Sequence, residues 1–168
     1  MSTIEGPIVL VGHSYGGMVI SNAATGNKNV KSLVYVDAYI PAAGETLGQL
    51  TGAEEGSALN VPDPGTVFNF VPISNGGGNV DLYVNPELFA QIFAAVIDPH
   101  KAAVLAASQR PLAASALEEP SGAPATPAEQ TYLANRAHAH TLKINAPHLS
   151  MVAKPNVVTD LITDAARH

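Results

Sequence analysis

Ile8-Val-Leu-Val11 is an unbroken apolar run after Gly6-Pro7, and Ser32-Leu-Val-Tyr-Val36 is a second. Short β-branched runs bounded by turn formers read as strands buried on both faces. Between them, Gly12 to Gly17 mark a sharp turn, and Met18 to Thr25 follow a helical pattern with Gly26 as its stop. Strand, helix and strand in this order predict a βαβ unit with a parallel sheet covered on both faces. Pro41 limits how far the second strand can run.

From Ala42 to about Val84 the pattern dissolves into Gly, Pro, Asn and Ser, with Asn75-Gly-Gly-Gly-Asn79 as a flexible loop. Val67-Phe-Asn-Phe-Val71 and Val80-Asp-Leu-Tyr-Val84 predict a hairpin. Pro86 then opens a helix with Leu88, Phe89, Ile92, Phe93 and Val96 on one face, and Lys101 to Gln109 predict another helix. A long irregular stretch in a compact fold marks a lid or binding loop. Residues 42–117 are therefore expected to be an inserted helical cap, with 1–41 and 118–168 forming the core. Within that core, Glu118 to Thr126 read as a connector and Pro127 to His138 as a helix. Thr141-Leu-Lys-Ile144 reads as a third short strand. A last helix starts at Pro155, with Val157, Val158, Leu161, Ile162 and Ala165 as its apolar stripe. The fold class is α/β: a short parallel sheet flanked by helices, with a helical cap insertion.

Composition narrows the function. Of 168 residues, 46% are hydrophobic and 13% charged, which favours a buried core over disorder. The net charge is −6 with eight scattered Lys and Arg, so no basic patch is available for nucleic acid. The absence of cysteine excludes disulfides and thiolate chemistry. The amino-terminal segment does not read as a signal peptide, and no apolar run approaches the roughly 20 residues of a membrane span. These features predict a soluble, cytoplasmic protein that engages neither nucleic acid nor membrane. No cofactor and no metal are implied.

The chemistry centres on Gly12-His13-Ser14-Tyr15-Gly16. A serine hydroxyl is a weak nucleophile at neutral pH and needs both exposure and a neighbouring base. A strained strand-to-helix turn supplies the exposure, and glycines on either side of the serine let strand and helix approach each other. The helix that follows presents its N-terminus, which favours negative charge. The Tyr15 N–H is thus expected to hold a developing oxyanion. His148 lies later in the chain, in the loop between the last predicted strand and the terminal helix, with apolar Pro147 and Leu149 beside it. That setting suits a general base.

With Leu33-Val-Tyr-Val-Asp-Ala-Tyr-Ile-Pro41, Tyr83-Val-Asn-Pro-Glu-Leu-Phe89, Gln109-Arg-Pro111 and Pro147-His-Leu-Ser-Met151, the segment Val9 to Met18 resembles the α/β-hydrolase superfamily. The closest resemblance is to its small esterase-like members, related to plant hydroxynitrile lyases and methyl esterases. It implies Ser14 as nucleophile and His148 as general base. Two departures stand out. The family places four strands ahead of the elbow, one of whose loops gives a second oxyanion donor, whereas seven residues precede Ile8 here. The chain thus reads as shortened on that side. The family's usual acid would fall near Glu118 to Ala123, a window without aspartate.

Asp37, at the end of the strand after the elbow helix, is the first replacement candidate for the acid. Some haloalkane dehalogenases of the superfamily place theirs at that strand's end. Asp37 equally fits a carboxylate capping the next turn, and Glu118 and Glu119 are further candidates. His13 reads either as a pocket residue or as packing behind the site. Phe89 and Phe93 read as cap core or as substrate wall. His138 and His140 alternate at strand spacing but lack a carboxylate partner for a metal, and Glu54 and Glu55 read as solvated. The leading expectation is a serine esterase acting on a small apolar ester. The alternatives are a lyase using the same site, or a non-catalytic remnant that binds a small ligand or partner. Exposed sheet edges predict homo-oligomerisation.

Overall fold

The computed structural model describes residues 3–53, 57–122 and 139–167. The predicted helix over Pro127 to His138, His138 itself, Glu54 and Glu55 lie outside the described residues. The chain divides into two compact units, Met1–Glu45 with Pro120–Asn145 and Ser150–His168, and Thr46–Glu119 with Ala146–Leu149.

The first unit carries the predicted βαβ motif. Strand β1 (Ile8–His13) and strand β2 (Val30–Val36) pair in parallel, in a register that sets Val11 against Val34 and His13 against Val36. Helix α1 (Gly16–Ala23) lies between them in the chain and buries Gly17, Met18, Ile20 and Ser21. It stops near Gly26, whose φ of +73° is the left-handed conformation expected of a helix-terminating glycine. Ser21, fully buried, locks this helix to the sheet. Its hydroxyl lies 2.7 Å from the Gly17 carbonyl and 2.8 Å from the Tyr35 hydroxyl. Because the single Ser21 proton goes to the carbonyl, Tyr35 donates the second bond. β2 ends at Val36, before Pro41 is reached, because Asp37 turns into the left-handed region with φ +43°.

The other sheet face is covered by the terminal helices, a short one over Ser150–Ala153 (α6) and Pro155–Ala165 (α7). Val158 is buried with Val34 and Val36, and Val9, Met151, Leu161, Ile162 and Ala165 pack around them, as the predicted stripe requires. The Ser32 hydroxyl donates to the Ala165 carbonyl at 3.1 Å and fixes the helix end against β2. The strand expected over Thr141–Ile144 is not formed: the segment is irregular, and Leu142 is half exposed. Its alternating side chains have no ladder among the described residues, and without one an extended segment gains little.

The second unit contains helix α2 (Leu47–Gly52), a single 3₁₀ turn at Pro64–Thr66, and the predicted hairpin. The hairpin strands are β3 (Phe68–Pro72) and β4 (Val80–Val84), paired antiparallel. A two-residue strand that the hydrophobic pattern is too short to announce, β5 (Leu112–Ala113), adds to the outer edge of β4. Helices α3 (Pro86–Phe93), α4 (Pro99–Ala107) and α5 (Ser115–Glu118) complete it. Each of the two longer ones opens on proline behind a capping side chain. The Asn85 amide oxygen accepts from the Glu87 N–H, and the Asp98 carboxylate accepts from the Lys101 N–H, both at 3.0 Å. The core of this unit is Val84, Phe89, Ala94, Ala102 and Ala106. Val96, expected on the apolar face of α3, falls beyond its end and is exposed. Among the described residues, no helix is long and apolar enough to cross a membrane.

Candidate active site

Ser14 occupies the turn between β1 and α1 with φ +53°, a conformation uncommon for a residue with a Cβ. Two main-chain bonds to its carbonyl hold it there. The Gly17 N–H donates at 3.0 Å, and the Tyr39 N–H donates at 3.2 Å from the far side of the turn after β2. Ser14 itself is half-buried, so its hydroxyl is held at a partly open turn.

Glycine makes the turn possible, though one of the two positions differs from the one the motif singles out. A Cβ on Gly12 would stand 2.5 Å from the Gly16 carbonyl oxygen, so the strand side needs glycine as expected. On the helix side the crowded position is Gly17, where a Cβ would overlap the Tyr39 carbonyl oxygen. A Cβ on Gly16 would meet nothing within 4 Å. The doublet Gly16-Gly17 carries this signal in the sequence, but only the path of residues 37–39 tells which glycine is indispensable.

Tyr15 is the N-cap of α1, with no side-chain capping bond, so the helix opens on main-chain groups. His13 ends β1 opposite Val36, on the same face as Val9 and Val11, and is half-buried. Asp37 is exposed and stands one residue past Val36, as Ser14 stands one past His13. Ser14 and Asp37 therefore sit at the carboxyl ends of adjacent parallel strands, the edge where open α/β sheets place their ligands. Both have positive φ. Ser14, Tyr15, His13 and Asp37 are brought together in the first unit.

His148 belongs to the second unit. Its ring meets that of Phe93 edge-on, with centroids 4.8 Å apart and planes at 79°. Phe93 in turn stacks on Phe89 at 5.3 Å. Phe89 is a buried core residue, and Phe93 packs against the same cluster. The Leu149 N–H donates to the Phe93 carbonyl at 3.0 Å. Glu118 and Glu119, also in the second unit, are exposed at the end of α5. His140 is exposed and lies 4.0 Å from Asp164. Among the described residues, no group of three or more His, Cys, Asp or Glu side chains is placed to hold a metal ion.

These features agree with what the chain resembles. The carbendazim hydrolyzing esterase of Nocardioides sp. (strain SG-4G) is 51% identical over 41 residues, which is 24% of this chain and only 17% of that protein. Among solved structures, polyneuridine aldehyde esterase superposes with a TM-score of 0.70 at 16% identity, over 98% of this chain and 74% of its own. The pyrethroid hydrolase of Sphingobium faniae JZ-2 gives 0.67 at 16% identity, over 99% and 73%. Tomato methylketone synthase I bound to 2-tridecanone gives 0.68 at 19% identity, over 99% and 74%. At these identities the superpositions establish the fold. The profile of the alpha/beta hydrolase family matches residues 2–164, nearly the whole chain, and the chain belongs to that family.

Proposed function

We propose that this chain carries the nucleophile of a serine esterase acting on small, largely apolar esters. The observation that carries the reading is the left-handed Ser14, held at a strand-to-helix turn by two bonds to its own carbonyl. Such strain is kept where the surrounding structure enforces it and exposure of the side chain is useful. The esterases and the pyrethroid hydrolase among the chain's relatives support ester chemistry.

In this reading the Ser14 oxygen attacks the ester carbonyl carbon as its proton passes to His148. The carbonyl oxygen becomes an anion, and the Tyr15 N–H at the head of α1 stabilises it. His148 returns the proton to the departing alcohol, leaving an acyl group on Ser14. Water then attacks that acyl carbon, giving its proton to His148. The carboxylic acid is released as Ser14 recovers its proton. Asp37 is the acid that orients the imidazolium and balances its charge.

Labelling with a fluorophosphonate probe, followed by peptide mapping, tests the assignment. Modification at Ser14, lost in Ser14→Ala and strongly slowed in His148→Ala, is the expected result. Asp37→Asn is expected to slow turnover of a p-nitrophenyl ester by about a thousandfold or more. Folded protein that never labels would instead favour the ligand-binding remnant. Labelling without ester turnover, but with cyanohydrin cleavage, would favour the lyase.

A further inference from the structure

Helix α3 ends at Phe93, and the last carbonyls of a helix have no partner within it. The Phe93 carbonyl finds one in the Leu149 N–H, at 3.0 Å. Leu149 also packs its side chain against the cluster of Val84, Phe89, Ala94, Ala102 and Ala106. One residue earlier, the His148 ring stands perpendicular to the Phe93 ring, which is itself backed by Phe89. The imidazole is thus fixed from two directions, by the main chain that follows it and by an aromatic ring against its side.

We infer that Phe93 is a positioning residue for His148: it orients the imidazole and makes no contribution through substrate contact. This rests on the reading of His148 as general base. A base works only when one nitrogen lies on the line of proton transfer. A perpendicular ring in contact removes the rotation about the last side-chain bond that would carry that nitrogen off line. The inserted unit, by way of the end of α3, therefore sets the geometry of the base.

Kinetics on the full chain separate this role from that of a substrate wall. Phe93→Leu is expected to lower kcat roughly ten- to a hundredfold, as small misplacements of reacting groups do. KM should stay within about twofold, because ground-state binding is untouched. Phe93→Tyr keeps the ring and is expected to recover most of the rate. Ile97→Val, a trimming of the same core that leaves the Phe93 ring in place, is expected to lower the melting temperature without lowering kcat. If Phe93→Leu fails to fold by circular dichroism, Phe93→Met refills the volume with a flexible chain and gives the same reading. A rise in KM with kcat intact would overturn the inference, as would a kcat loss no larger than that of Ile97→Val. His148→Ala and Ser14→Ala serve as references. If neither loses activity, the esterase reading itself falls. If both do while Phe93→Leu turns over normally, only the positioning role falls.

Discussion

The main-chain N–H of Tyr39 donates to the carbonyl oxygen of Ser14 at 3.2 Å, tying the turn after β2 to the turn after β1. Ser14, at one end of this link, is left-handed, and so is Asp37, two residues before Tyr39 at the other. The backbone of Ser14 is therefore specified by a neighbouring strand as well as by its own motif.

The close approach that permits this bond makes the glycines unequal. Gly12→Ala and Gly17→Ala drive a Cβ into a main-chain carbonyl, which cannot swing aside as a flexible side chain would. Each is expected to cost about 2–3 kcal/mol, the upper range for overpacking. Gly16→Ala, with open space around the new carbon, is expected to change stability by no more than about 1 kcal/mol. Urea unfolding of the three variants gives the comparison.

Strain at Ser14 predicts a trade between stability and activity. Glycine adopts a φ of +53° without the penalty that a Cβ brings. Ser14→Gly is expected to be more stable than Ser14→Ala by about 1 kcal/mol, while neither reacts with a fluorophosphonate. Thermal melts of the two inactive variants measure the difference directly.

Gln109 acts as one more residue of a strand. Its side-chain amide accepts from the Val84 N–H and donates to the Val84 carbonyl, each at 2.9 Å, continuing the β4 edge past β5. Val84 is buried, so Gln109→Ala leaves two main-chain groups without these partners. A loss of about 2–3 kcal/mol is expected, with faster amide exchange at Val84. Gln109→Glu cannot donate to the carbonyl and is expected to fall between.

A polar clasp holds the connector against α1. The Asn22 amide donates to the Ser121 hydroxyl at 3.0 Å and accepts from the Gly122 N–H at 2.8 Å. Asn22→Ala is expected to destabilise the first unit by about 1–2 kcal/mol, tempered by the exposure of Asn22. Chemical denaturation checks the loss, and proteolysis near residue 122 is expected to quicken.

Much of this was legible in the hydrophobic pattern. The parallel pair β1 and β2, the stop at Gly26, the hairpin and the stripe of α7 all follow from local periodicity and turn chemistry. Thr141–Ile144 did not become a strand, because alternation proposes a strand while only a partner ladder can make one. Val96 left its helix because Ala94, buried and no longer helical at φ −132°, ends α3 at Phe93. The roles of Gly17 and Phe93 were illegible for a related reason. Gly17 is read against Tyr39, and Phe93 against His148 and Leu149, which are far away in sequence.

The residues that flank Thr46–Glu119 are themselves hydrogen-bonded. The Gly44 N–H donates to the Ser121 carbonyl at 2.8 Å, and the Ser121 N–H donates to the Glu45 carbonyl at 2.9 Å. The chain therefore leaves for Thr46–Glu119 and returns from it at neighbouring points, about 5 Å apart, as across a two-stranded ladder. That makes the intervening stretch a cassette: any replacement, from a tight turn to a longer fold, has the same small gap to span. Ser14 and its glycines lie outside the cassette, while Phe93, whose ring meets that of His148, lies inside it. Exchanging the cassette would preserve the turn at Ser14 and change what His148 packs against.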